Sequence, residues 1–166
     1  YNNNSTIDNC YVKNGDISAT SQRAGGIAGA HLYKDLKNCY TDVNVLSQSI
    51  AGGLIGTHSY GGVENCEVYG NVAGGCSGGL LGLVDFYYSG NYYIRNCSLY
   101  NNEFSYLDGI FIGGKWSGGN AADKYTIENC SYNSKLSGLN LIGWEYEDEI
   151  EINNPVQIEC KSTPSK

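Results

Sequence analysis

Apolar residues recur along this chain in short clusters, cut apart by Gly, Asn and Ser. An apolar residue stands two positions before an Asn-Cys pair in five places: Ile7, Leu36, Val63, Ile94 and Ile127. The pairs are Asn9-Cys10, Asn38-Cys39, Asn65-Cys66, Asn96-Cys97 and Asn129-Cys130, so the Cys spacings are 29, 27, 31 and 33 residues. A further step of 30 reaches Cys160, where Glu159 replaces the Asn. On one straight strand Ile7 and Cys10 fall on opposite faces, so a turn or bulge is expected between them, with Asn as its residue. Each unit then carries a glycine-framed apolar piece. This reads Gly25-Gly26-Ile27-Ala28-Gly29, Gly52-Gly53-Leu54-Ile55-Gly56 and Gly78-Gly79-Leu80-Leu81-Gly82, with looser copies at Gly109–Gly113 and Gly138–Gly143. A third short piece lies between the two, as in Val43-Asn44-Val45.

No stretch holds a 3.6-residue period, and the apolar residues are largely β-branched or aromatic, so no helix is expected. A single unit of about 30 residues has no second layer on which to bury its apolar side. Stacked units make one continuous core and pair each strand with its own copy about 4.8 Å away. The expected fold is therefore all-β, a parallel β-solenoid of about five coils. Right-handed coiling is expected from the bias of parallel crossovers. Residues 1–160 read as one solenoid domain and 161–166 as a tail or linker.

Composition agrees with a chain of many turns: 23 Gly and 15 Tyr stand against 2 Pro and no Met. The formal net charge is −7 with a sequence pI near 4.7, and no basic stripe is present. Nucleic acid and anionic lipid are thus not expected as partners. No apolar run is long enough for a membrane-spanning helix, and membrane insertion is not expected. The chain opens at Tyr1 without an initiator Met, which reads as a fragment of a larger protein.

The glycine pieces, above all Gly52-Gly53-Leu54-Ile55-Gly56, resemble the short GLUG repeat. That repeat occurs in large bacterial surface proteins, including the non-catalytic regions of immunoglobulin-A-cleaving metallopeptidases, and in adhesin-like proteins. The likeness covers residues 5–143, good in the first three units and weak in the last two. It implies a repeat type and an extracellular or cell-surface setting, and it implies no activity.

In a stack, equal positions form ladders. The Cys residues are expected as a buried column of reduced thiols, since neighbours pointing the same way rarely reach a disulfide torsion. The Asn residues are expected as an amide ladder. Asp8, Lys37, Glu64, Arg95 and Glu128 share one position, where alternating charge would hold the register. His31 and His58 share another; they read as stacked turn residues, with a shared metal as the sharper alternative. No Cys-x-x-Cys, zinc-protease or Walker motif is present, and no cofactor is expected. The acidic run Glu145–Glu151 lacks EF-hand spacing and reads as a solvated edge.

Two insertions, 84–93 and 115–125, follow the glycine pieces of adjacent units and should emerge at one corner. Their aromatics, Tyr87, Tyr88, Tyr92, Tyr93, Trp116 and Tyr125, are the candidate ligand-binding residues, offering flat surfaces to a glycan or host protein. The opposing reading is that these rings cover the corner or extend the core. The function expected from sequence is a non-catalytic spacer or adhesin module. A carbohydrate-active solenoid enzyme, either lyase or hydrolase, is the alternative; regular Thr ladders for ice binding are absent.

Overall fold

The computed structural model describes residues 2–85, 92–100, 107–116, 125–136, 138–143, 150–153 and 156–158. Three parallel sheets of five, six and eight strands form the sides of a β-solenoid. The first side stacks Ala28–Leu32, Ile55–His58, Leu81–Asp85 and Ile112–Trp116, with Asn2–Asn3 at one edge. The second stacks Ile7–Asp8, Leu36–Lys37, Gly61–Glu64, Tyr92–Arg95, Tyr125–Glu128 and Ile150–Asn153. The third is the widest. It carries Tyr11–Ala19, Tyr40–Gly52 and Val72–Gly78, and shorter strands such as Ser98–Leu99 and Ser131–Asn133.

Among the described residues three turns, 7–32, 36–58 and 61–85, carry all three sides with a full third side, fewer than the five coils expected. Beyond Asp85 the stack continues with strands on each side. Among the described residues the third-side strands there are shorter, where the glycine pieces lose their regular form and the insertions enter. The apolar column Ile7, Leu36, Val63, Ile94 and Ile127 pairs one residue upon the next. Leu36, Val63, Ile94 and Ile127 are fully buried. Each such side chain is worth about 1.5–3 kcal/mol relative to exposure. The strand Tyr40–Gly52 alternates buried Thr41, Val43, Val45 and Ser47 with outward neighbours, the period of two that a half-buried strand requires.

The turn between the second and third sides is made by the Asn residues themselves. Asn9, Asn38, Asn65, Asn96 and Asn129 all have φ between 52° and 55°, the left-handed region that Asn tolerates best after Gly. The following Cys closes this turn. The thiols of Cys39, Cys66, Cys97 and Cys130 donate to the carbonyls of Lys37, Glu64, Arg95 and Glu128, two residues back, at 3.0–3.3 Å. Asn-Cys is thus one structural unit: Asn turns the chain and Cys seals the turn from inside. Cys39, Cys66, Cys97 and Cys130 are buried, while Cys10 is exposed at the end of the column. These five and Cys76 are free thiols; Cys160 lies outside the described residues.

At the opposite corner the paired glycines are required by close approach. A Cβ on Gly52 would collide with the Ile55 carbonyl and the Gly82 amide, and one on Gly53 with the Gly79 carbonyl. Of the two extra residues in the first unit, one is absorbed by a bulge at Asn14 (φ 59°), where the register between Lys13 and Gly15 slips against Asp42 and Val43, and the other between Ala19 and Arg23, which face Ser47 and Ile50.

Candidate functional site

The corner that leads from the first side to the second was expected to carry the binding aromatics. Tyr92 and Tyr125 do not serve that role, because both are core residues, 2% and 0% exposed. Their rings pack 5.6 Å apart, and the Tyr125 hydroxyl shares a 2.7 Å hydrogen bond with His58 Nδ1. The reason is strand parity. Each stands two residues before an inward Ile (Ile94, Ile127) and so points inward with it. Tyr93 lies outside and is half-buried, but its surroundings hold it. Its ring covers Gly62, the Arg95 guanidinium sits 4.5 Å above it, and its hydroxyl donates to Asp35. Trp116 ends a first-side strand paired with Asp85. Tyr87 and Tyr88 lie outside the described residues, as does most of the second insertion.

Asp35 organises this corner. It accepts from the Gly62 amide at 2.8 Å and pairs with Lys37 at 3.1 Å. Partial burial works to raise its pKa, yet these donors hold the carboxyl below its ordinary value. His31 and His58 do stack, their rings parallel within 6° and 5.6 Å apart. They are strand residues rather than turn residues, however, and both are fully buried. His31 Nε2–H donates to the Lys34 carbonyl at 2.6 Å. Burial, and then the neighbouring His31, push the His58 pKa down to about 3. Among the described residues no three His, Cys, Asp or Glu side chains converge on a metal position.

The five charged residues stack in register as expected, and two of the four neighbouring pairs close as ion pairs. Lys37 meets Glu64 at 3.5 Å and Arg95 meets Glu128 at 2.8 Å, with Asp8 in register with Lys37. One turn away lies a feature that the sequence reading did not single out. A groove of about 620 Å³ runs across the coils along the Asn corner. One wall is the amide ladder. Asn96 Nδ2 donates to Asn65 Oδ1 at 3.2 Å, Asn65 to Asn38 at 3.2 Å, and Asn38 to the Asp8 carboxylate at 2.8 Å. The floor is the edge of the Cys turns, and the facing wall carries Tyr11, Tyr40 and Glu67.

Behind that wall the tyrosines form a ladder of their own. The Tyr40 and Tyr69 ring centroids are 5.1 Å apart, and Tyr69 stacks on Tyr100 at 4.5 Å and 19°. Lys13 Nζ sits between Tyr11 and Tyr40, at 5.8 and 5.0 Å from their rings. The Tyr40 hydroxyl donates to Asp42 and that of Tyr69 to Glu67. Burial, and then the adjacent carboxylates, push both phenol pKa values up, so the rings stay neutral. The signal was present in the sequence: Tyr11 and Tyr40 follow Asn-Cys directly, while Tyr69 and Tyr100 follow it by two further residues.

The arrangement provides a long, shallow channel whose Asn wall recurs from coil to coil and whose facing wall carries tyrosines and a carboxylate. It can bind an extended ligand through many equal hydrogen bonds. Among the described residues no helix is long and apolar enough to cross a membrane. A scan against protein-family models, a search of curated proteins and a search of solved structures each find no match for this chain.

Proposed function

We propose that the chain is a non-catalytic module of a bacterial surface protein, of the GLUG-repeat type, that acts as spacer and adhesin and binds glycan along its Asn–Tyr groove. The observation that carries this reading is the groove, where the same amide recurs on successive coils opposite tyrosine hydroxyls and a carboxylate. Amides and carboxylates beside aromatic rings are the partners that sugar hydroxyls use, since each hydroxyl both donates and accepts. A host protein segment is the other ligand for the same groove.

A carbohydrate-cleaving solenoid would need the wall carboxylates as acid and base. Asp42 and Glu67 instead each accept a hydrogen bond from a tyrosine two residues away on their own coil, which favours binding over catalysis.

The test is a glycan array probed with the purified chain and with Tyr40→Ala. Saturable binding that the variant loses, with glycan recovered uncut, is the expected result. Shortened glycan products would turn the reading to the enzyme. Binding retained in Tyr40→Ala would move the site away from this groove.

A further inference from the structure

Four features of the groove narrow its ligand beyond glycan in general. The first is spacing. Asn9, Asn38, Asn65 and Asn96 line it, one per coil, so the groove spans four coils at a step of about 4.8 Å. A chain of pyranose rings linked through opposite ring positions advances by a similar step, whereas a branched or helical chain leaves such a row of contacts.

The second is free hydrogen-bonding capacity. A carboxamide has two N–H bonds and two oxygen lone pairs. In Asn38 and Asn65 the ladder uses one of each, running along the solenoid axis. The other N–H and lone pair of these two side chains remain for a partner alongside, an equal donor–acceptor set on two adjacent coils.

The third is the occupation of the ring faces. Tyr69 and Tyr100 stack on each other, Tyr40 leans on Tyr69, and Tyr11 and Tyr40 hold Lys13 between them. Tyr11, at the end of the row, is 74% exposed and keeps ring surface open, while the inner tyrosines offer a ligand ring edges and hydroxyls. Recognition is therefore by hydrogen bonds to hydroxyls more than by stacking on sugar rings.

The fourth is charge. The amide ladder ends on Asp8, and the facing wall carries Glu67 with Asp42 beside it. Among the described residues the one cation lining the groove, Lys13, already lies over two rings. Carboxylates repel an acidic polymer and leave a neutral one unopposed.

We infer that the groove takes an unbranched, uncharged polysaccharide laid parallel to the solenoid axis, one sugar per coil, held by the free edges of the Asn amides. This rests on the glycan-binding reading above and adds the class, direction and length of the ligand.

The experiment is calorimetric titration of the whole chain with defined oligomers of β-1,4-linked glucose, mannose and N-acetylglucosamine. Each series runs from one sugar to about six, beside oligogalacturonates of the same lengths as acidic probes. The variant is Asn65→Gly, which keeps the left-handed turn while deleting the amide, so that folding and binding separate; its thermal unfolding is recorded in parallel. In at least one neutral series, affinity should rise with each added sugar up to about four and then level off. Asn65→Gly should cost a folded protein at least about tenfold for the tetramer, and oligogalacturonate should bind more weakly at low salt. Glycan binding without length dependence, or a preference for the acidic series, would overturn the inference and leave the glycan-binding reading standing. If neither the array nor any oligomer shows binding, both fall.

Discussion

The carboxamide of Asn65 donates to that of Asn38 at 3.2 Å, from one coil to the next, while both residues hold φ near 54°. Turn and ladder are thus carried by the same side chain, and substitution can separate them. Asn65→Ala loses the ladder and places a Cβ residue without a local hydrogen bond in the left-handed region, at a cost of about 1–3 kcal/mol. Asn65→Gly loses only the ladder and should cost less. Urea unfolding of the two variants checks the order; equal losses would mean that the ladder, not the turn, dominates.

The glycine corner leads to a second contrast. Gly52→Ala drives a methyl group into the Ile55 carbonyl and the next coil's Gly82 amide, where only backbone can yield. A loss of about 1–3 kcal/mol or more is expected. Gly15→Ala meets no atom within 4 Å and has no left-handed φ, so its effect should stay within about 0.5 kcal/mol. Thermal melts of the pair measure both.

The buried imidazoles make the fold sensitive to acid. His58 is held neutral by burial and by His31, with its pKa near 3 against about 6.5 in the unfolded chain. His31 is lowered as well, by burial first, although the Lys34 carbonyl and Asp35 oppose the shift. The unfolded state therefore binds the proton more readily. The stability contributed by neutral His58 is complete above about pH 6.5 and is lost as pH falls from there toward 3. Its slope approaches about 1.4 kcal/mol per pH unit. The groups facing His58 are His31, the Tyr125 hydroxyl and, at longer range, Asp35. In His58→Phe the melting temperature should fall less steeply between pH 6.5 and 4 than in the parent chain. Parallel curves would place the acid sensitivity elsewhere.

The thiols should react in the order of their burial. In a Cys160→Ser background a chromogenic aryl disulfide should label Cys10 quickly, since it is exposed at the end of the column. Cys76 should follow slowly, its pKa pushed up to about 11 by burial and by Asp108. Cys39, Cys66, Cys97 and Cys130 should react only on unfolding. Rapid labelling of more than one thiol in native buffer would contradict this order.

The architecture was legible in the sequence because stacking places like residues on like, so a structural ladder is also a sequence period. The Asn turn could be expected because Ile7 and Cys10 must both face inward across three residues. The thiol-to-carbonyl closure could not, since hydrophobic patterning treats Cys as a small apolar residue. The aromatic corner misled for a definable reason. Tyr92 and Tyr125 were grouped with the insertions, whereas their distance of two from Ile94 and Ile127 assigns them to strand and core. In the third turn that register position is Gly61, so the column changes from Gly to Tyr and the period hides it. The tyrosine ladder escaped for the opposite reason. Its members occupy two offsets from the Asn-Cys pair, and Tyr69 leans diagonally on Tyr40 rather than lying in register with it.

The hydrogen bonds between coils, from Glu67 N to Cys39 O at 2.9 Å to Ser98 N to Cys66 O at 2.9 Å, run along the axis of the stack. A pull along that axis does not shear the strands past one another; it opens them like a zipper, a few bonds at a time. Each turn released frees the 27 to 33 residues between successive Cys positions, roughly 100 Å of extended chain. Under tension such a module lengthens in steps at modest force and rewinds one coil at a time when the load drops. It would behave as a shock absorber rather than a rigid strut.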